Sequence, residues 1–117
     1  YTGGTGEGSE GAGEERIREL MRRSRPRYPK PQEVLSYKTA LEQTIPVDTP
    51  MVMGWRESAK LIPNWRFQGL TGGVEWVVDV YCGGYCYVSV GRYNERVKSI
   101  MAALKFLRAH LAARGVL

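Results

Sequence analysis

Apolar residues recur with period two in the middle of the chain and at a longer, helical period near its end. From Val74 to Cys82, the residues Val74, Trp76, Val78, Val80 and Cys82 alternate with Glu75, Val77, Asp79 and Tyr81. That alternation predicts a strand with one buried face. A second strand is expected over Tyr85 to Val90, after Gly83-Gly84, and a short one over Trp65 to Leu70, with Gly69, Gly72 and Gly73 turning the chain. From about Asn94 the period lengthens. Val97, Ile100, Met101, Leu104, Leu107 and Leu111 form one apolar stripe of a helix, with Asn94 as its N-cap and Gly115 as its stop. Upstream, Val34 and Leu41, joined by Leu35 or Tyr37, form the inner face of a helix over residues 32–44. Pro31 suits its first turn, and Pro46 and Pro50 end it. Residues 45–62, with Met51, Val52, Met53 and Trp55, show no period and are expected to be irregular. The fold class that follows is α+β: helix, three-stranded antiparallel sheet, helix, with one sheet face packed by the helices.

Pleat parity constrains the hairpin between the last two strands. A three-residue loop of Gly83, Gly84 and Tyr85 keeps both apolar sets on one face. It pairs Cys82 with Cys86, Val80 with Val88 and Val78 with Val90. Two cysteines with one distant histidine, His110, cannot complete a tetrahedral zinc site. They read as two small buried thiols, with a cross-strand disulfide left open. No metal and no cofactor are expected.

Composition divides the chain. Residues 1–13 hold six of the 14 glycines and are expected to be a flexible lead-in. Residues 14–31 read as a short basic helix, Glu14 to Arg23, followed by an extended arm through Pro26, Pro29 and Pro31. Residues 32–117 form the domain proper. The start at Tyr1 rather than Met suggests a processed or trimmed chain. Hydrophobic residues make up 43% of the 117, enough for a single core. Apolar runs fall far short of the roughly 18 residues of a membrane span. The acids are scattered singly and no nucleophile–base pair can be assembled, so the chain is not expected to be an enzyme.

Charge adds a direction. The net charge is +5, and it sits at the two ends: +4 over residues 14–31 and +5 over residues 92–117, against −2 over residues 31–91. Arg92, Arg96 and Lys98 gather around the expected helix start, where backbone amides also favour phosphate. Lys105 lies seven residues beyond Lys98, on the same expected helical face. With Arg22, Arg23, Arg25 and Arg27 of the arm, these are the candidate RNA-binding residues. Tyr81 and Tyr87 are expected on the uncovered sheet face, where bases or, by preference, a protein partner would sit. Trp55 joins them as a protein-contact candidate, and Trp55, Trp65 and Trp76 are expected as core and interface anchors rather than base-stacking groups.

The order helix, strand, strand, strand, helix resembles the double-stranded RNA-binding domain. The likeness is most local in Pro63-Asn64-Trp65, which is similar to that family's proline–aromatic entry to its first strand. It continues through Val74–Val80, the glycine hairpin and Val88–Gly91, and ends in Arg92–Leu111 with Val97, Lys98, Ile100, Met101 and Ala102. It covers about Gln32–Leu111. The resemblance implies recognition of A-form RNA by shape, with lysines at the last helix's start on phosphates. Those lysine positions fall on Asn94, Glu95 and Lys98, of which only Lys98 is cationic, so the match is to a degenerate member.

The expected function is a non-catalytic, RNA-associated module of a larger ribonucleoprotein assembly. The expected partners are RNA, held by its phosphates, and protein subunits, with a homodimer open. A degenerate domain of the same fold devoted to protein contact or dimerisation is the first alternative. A small basic viral structural or membrane-surface protein is the second. An intracellular location is expected, in cytoplasm or organelle matrix.

Overall fold

The computed structural model describes residues 13–17, 31–57 and 63–117. Residues 13–17 are helical, where a basic helix was expected. The arm residues Arg22, Arg23, Arg25 and Arg27 lie outside the described residues. The domain runs α1 (Pro31–Thr44), β1 (Val52–Glu57), β2 (Pro63–Thr71), β3 (Val74–Tyr81), β4 (Cys86–Val90), β5 (Tyr93–Val97) and α2 (Ile100–Ala113). The α+β class and the antiparallel sheet follow the expectation. The sheet, however, has five strands in the order β1-β2-β3-β4-β5, not three.

Both extra strands are edges. β1 arises within the stretch expected to be irregular, pairing Met53 with Phe67 and Trp55 with Trp65. β5 occupies the expected first turns of the last helix. Gly91-Arg92 turns the chain back so that Tyr93 to Val97 pair with Val90 to Cys86. Val97 serves both periodicities, which is why the helical stripe ran through it: it packs on the core from a strand. The helix begins instead after Ser99, whose hydroxyl accepts from the Ala102 amide at 3.2 Å. Asn94 is a strand residue and caps nothing.

The hairpin keeps the expected parity and shifts its register by two. Val80 pairs with Cys86, Val78 with Val88 and Trp76 with Val90. The loop is therefore longer than expected. Gly83 and Gly84 both take positive φ, 92° and 91°, a conformation that glycine adopts without strain. Cys82 lies in that loop and does not face Cys86. Both sulfurs are thiols.

One sheet face carries the core. Phe67, Trp76, Val78, Val80, Cys86, Val88 and Val90 meet Ala103, Leu104, Leu107 and Leu111 of α2. Val34, Leu41 and Ile45 join the same cluster from α1 and its end. Tyr37, not Leu35, completes the inner face of α1; Leu35 is 58% exposed. Each large side chain so buried stabilises the fold by about 1.5–3 kcal/mol. Gly69 stands directly under the Trp76 ring, where a Cβ would have no room. The Trp76 indole donates to Thr71 Oγ1 at 2.9 Å, and the Thr71 hydroxyl donates to the Pro46 carbonyl. Asp48 accepts from the amides of Gly72 and Gly73 at 3.0 and 2.9 Å, tying the segment after α1 to the β2–β3 turn.

The last helix ends as expected at Gly115. Gly115 (φ 77°) donates to the Ala112 carbonyl and Val116 to the Leu111 carbonyl. This is the Schellman pairing, and Val116 packs on the core beside it. Arg108 donates to the Thr44 carbonyl at 3.1 Å, joining α2 to the C-terminal end of α1. Among the described residues no helix is long and apolar enough to cross a membrane.

Candidate functional site

Pleat parity sends every second residue of the five strands to the face away from the helices. Register then arranges these residues in rows across the sheet. One row runs Arg56, Asn64, Tyr81. The next runs Gly54, Arg66, Asp79, Tyr87, Arg96. Tyr85, two residues before Tyr87, leads β4 on the same side.

These side chains form two connected groups. Tyr81 and Tyr85 are stacked, 4.9 Å between centroids and 3° between planes. The Arg96 guanidinium lies over the Tyr85 ring at 4.7 Å. Tyr85 therefore touches both Tyr81 and Arg96. Both separations, 4.9 and 4.7 Å, match the distance between neighbouring strands. A guanidinium over an aromatic ring is favoured by the ring's quadrupole.

The second group is polar. Asp79 is 7% exposed, and burial of a carboxylate requires partners. Arg66 supplies a two-point grip, Nε to Oδ1 at 2.8 Å and Nη2 to Oδ2 at 2.9 Å, and Asn64 Nδ2 donates to Oδ1 at 2.9 Å. The bond to Asp79 holds the Arg66 guanidinium more firmly protonated than usual. Burial, and then the Asp79 charge, push the Tyr81 phenol above its ordinary range, while Arg56 and Arg66 pull it back. Two arginines therefore sense Tyr81 from the β1–β2 side, and its phenol is a neutral hydrogen-bonding group at neutral pH.

Two accessible features of this row, among the described residues, bear on binding. The Tyr87 ring, paired with Asp79 and Arg96, is 43% exposed. At the other end of its row, Gly54 leaves a hollow of 160 Å³ rimmed by Arg56, Arg66 and Gln68. Among the described residues, Arg96 is paired with no carboxylate.

The sequence candidates scatter over this frame. Arg92 is exposed in the β4–β5 turn and Arg96 is on β5. Lys98 lies in the two-residue link to α2, and Lys105 is exposed on α2. Arg92, Arg96 and Lys98 thus do not gather at a helix N-terminus, because β5 takes the place of the expected first turns. Lys98 and Lys105 share no helical face. Tyr81 and Tyr87 do share the open face. Trp55 belongs to the opposite, helix-side parity, edge-on to Trp65 at 5.6 Å. Trp76 is in the core as expected, and Trp65 is half-buried.

Tyr85, Arg56, Arg66, Asn64 and Asp79 were missed. Asp79 and Tyr81 stood on the polar side of the β3 alternation, and Tyr85 has the parity of Tyr87. Only the register places Tyr85 beside Tyr81. On the helix side, His110 packs on Phe106 at 4.2 Å and Tyr93 at 5.1 Å. Arg114 donates to the carbonyls of His110 and Val90. Both residues hold the helix-side structure together. No protein-family model, curated protein or solved structure matches the chain.

Proposed function

We propose that this chain is a non-catalytic, RNA-associated module that works within a larger assembly. The observation that carries the reading is the sheet face turned away from the helices, where the exposed Tyr87 ring stands in register beside Arg96, whose guanidinium lies over Tyr85. An exposed ring suits a nucleobase, which has a π-face of its own, and the cation beside it suits phosphate. The net charge of +5 supports the same partner. The order α1, β2, β3, β4, α2 keeps the resemblance to the double-stranded RNA-binding domain as part of this proposal, with β1 and β5 as additions at either edge. The grip differs from that family's. Its phosphate-binding positions fall on Asn94 and Glu95 of β5 and on Lys98, and Glu95 opposes phosphate.

The test is binding of RNA across a salt series. Each phosphate neutralised contributes about −0.7 to −0.9 to the slope of log affinity against log salt. A slope of zero, or no binding at low salt, would remove the reading. The protein-contact alternative would then stand.

A further inference from the structure

We infer that the RNA bound by this module is an unpaired segment, with one base stacked on Tyr87 and the strand continuing across the sheet to the hollow over Gly54. The inference rests on the RNA reading above and adds the class of RNA and its path. Tyr85 is half-buried, with Tyr81 stacked on it and the Arg96 guanidinium over its ring. Tyr81 is half-buried beneath the same stack. Tyr87 is the exposed ring of this group. In register it stands between Asp79, held by Arg66, and Arg96, whose cation lies on the neighbouring ring. A base laid on Tyr87 therefore has an aromatic floor and a cation beside it for its phosphate.

Charge and shape both disfavour a duplex on this face. In A-form RNA the base faces are consumed by stacking, and the outside offers only phosphates, 2′-hydroxyls and groove edges. An exposed ring gains nothing from such a surface. A duplex needs spaced cations instead, and here Arg66 is spent on the buried Asp79. An unpaired strand fits better. From Tyr87 its row leads over the Arg66–Asp79 pair to Gly54, where the missing side chain opens a hollow of 160 Å³ rimmed by Arg56 and Arg66. That hollow has room for a second base or a phosphate.

Substitutions at two positions probe the path without disturbing the core. Tyr87 is exposed, so Tyr87→Ala removes the ring and leaves the fold, and Tyr87→Phe restores stacking without the hydroxyl. At Gly54 an added Cβ meets nothing within 4 Å, so Gly54→Val fills the hollow and suits a strand. The probes are a labelled unstructured oligoribonucleotide of about ten nucleotides and a blunt A-form duplex of equal length, compared by anisotropy at one salt concentration. The single strand is expected to bind at least about tenfold tighter than the duplex. Tyr87→Ala should weaken single-strand binding about tenfold or more, Tyr87→Phe should bind within about twofold of the unmodified chain, and Gly54→Val should weaken it several-fold. Thermal melting confirms that each variant is folded. Duplex binding equal to or tighter than single-strand binding, or indifference to Tyr87→Ala, overturns the inference while leaving the RNA reading in place. No binding to either probe at low salt overturns the RNA reading itself.

Discussion

At the scale of single residues, the open face is organised around one buried carboxylate. Asp79 occupies a strand position that the alternation marks as outward, yet it is nearly inaccessible. Arg66 and Asn64 close over it, and three hydrogen bonds offset its desolvation. Asp79→Ala leaves the Arg66 cation and the Asn64 amide without their acceptor. Because the Arg66 side chain is a third exposed, water recovers part of the loss. The expected cost is about 2–3 kcal/mol in chemical denaturation, and a loss under 0.5 kcal/mol would show that the pair contributes nothing. Gly69→Ala acts on the helix-side face by forcing a methyl into the Trp76 ring. It is expected to cost about 2 kcal/mol as overpacking, read as a lower melting temperature.

Cys86 supplies a pH dependence. Burial, and then the Asp79 charge, push its thiol from 9.0 up to about 12. Below pH 9 the thiol is protonated both folded and unfolded, and its contribution is constant. Between pH 9 and 12 the unfolded chain releases a proton that the folded one keeps, so stability falls as pH rises, by about 1.4 kcal/mol per pH unit. Tyr37 and Tyr81, also raised by burial, add to the fall only above their ordinary value of 10.0. Comparing the stability of Cys86→Ala and the unmodified chain between pH 9 and 10 isolates the thiol. The variant should be flatter there, and parallel curves would refute the assignment.

At the scale of elements, what the sequence made legible was parity, and what it concealed was extent. The alternation of Trp76, Val78 and Val80 is carried by buried side chains on a central strand, so it survives reading without coordinates. The edge strands bury far less. β5 has the sequence Tyr-Asn-Glu-Arg-Val and no buried residue, so its strand character comes from the Gly91-Arg92 turn and pairing with β4. Charged edge strands of this kind also resist unwanted strand addition. The register failed for a related reason. Parity allows shifts of two, and only loop geometry chooses among them. Gly83-Gly84 admits a longer loop than the three residues expected. The helix start offers a direct check. Ser99→Ala removes the bond to the Ala102 amide and should cost about 1 kcal/mol. Asn94→Ala, at the position the periodicity favoured for the cap, should change stability by under 0.5 kcal/mol. The reverse order would return the helix start to residue 94.

At the scale of the whole molecule, the two faces of the sheet divide the work. The helix side holds the core and consumes two of the C-terminal cations: Arg108 on the α1 carbonyl, and Arg114 on the β4 end and over Tyr93. Charge counted along the chain could not separate these structural arginines from available ones. The separation needs the partners, and it moves the candidate RNA surface from the last helix to the open sheet. Arg96 and Lys105 therefore make a decisive pair. Both are exposed and remote from the core, so charge reversal at either leaves the fold intact. Arg96→Glu removes the cation that stacks on Tyr85 and places a carboxylate beside Tyr87. It should weaken RNA binding by tenfold or more and lower the magnitude of the salt slope by about one. Lys105→Glu, an equal change of net charge on α2, should alter affinity by no more than the general loss of attraction, about twofold, and leave the slope unchanged. If the two variants lose affinity equally, the protein is held by its overall charge and not by this face. If Lys105→Glu is the more damaging, the helix side is the RNA surface after all, and the tyrosine–arginine group is a device of stability alone.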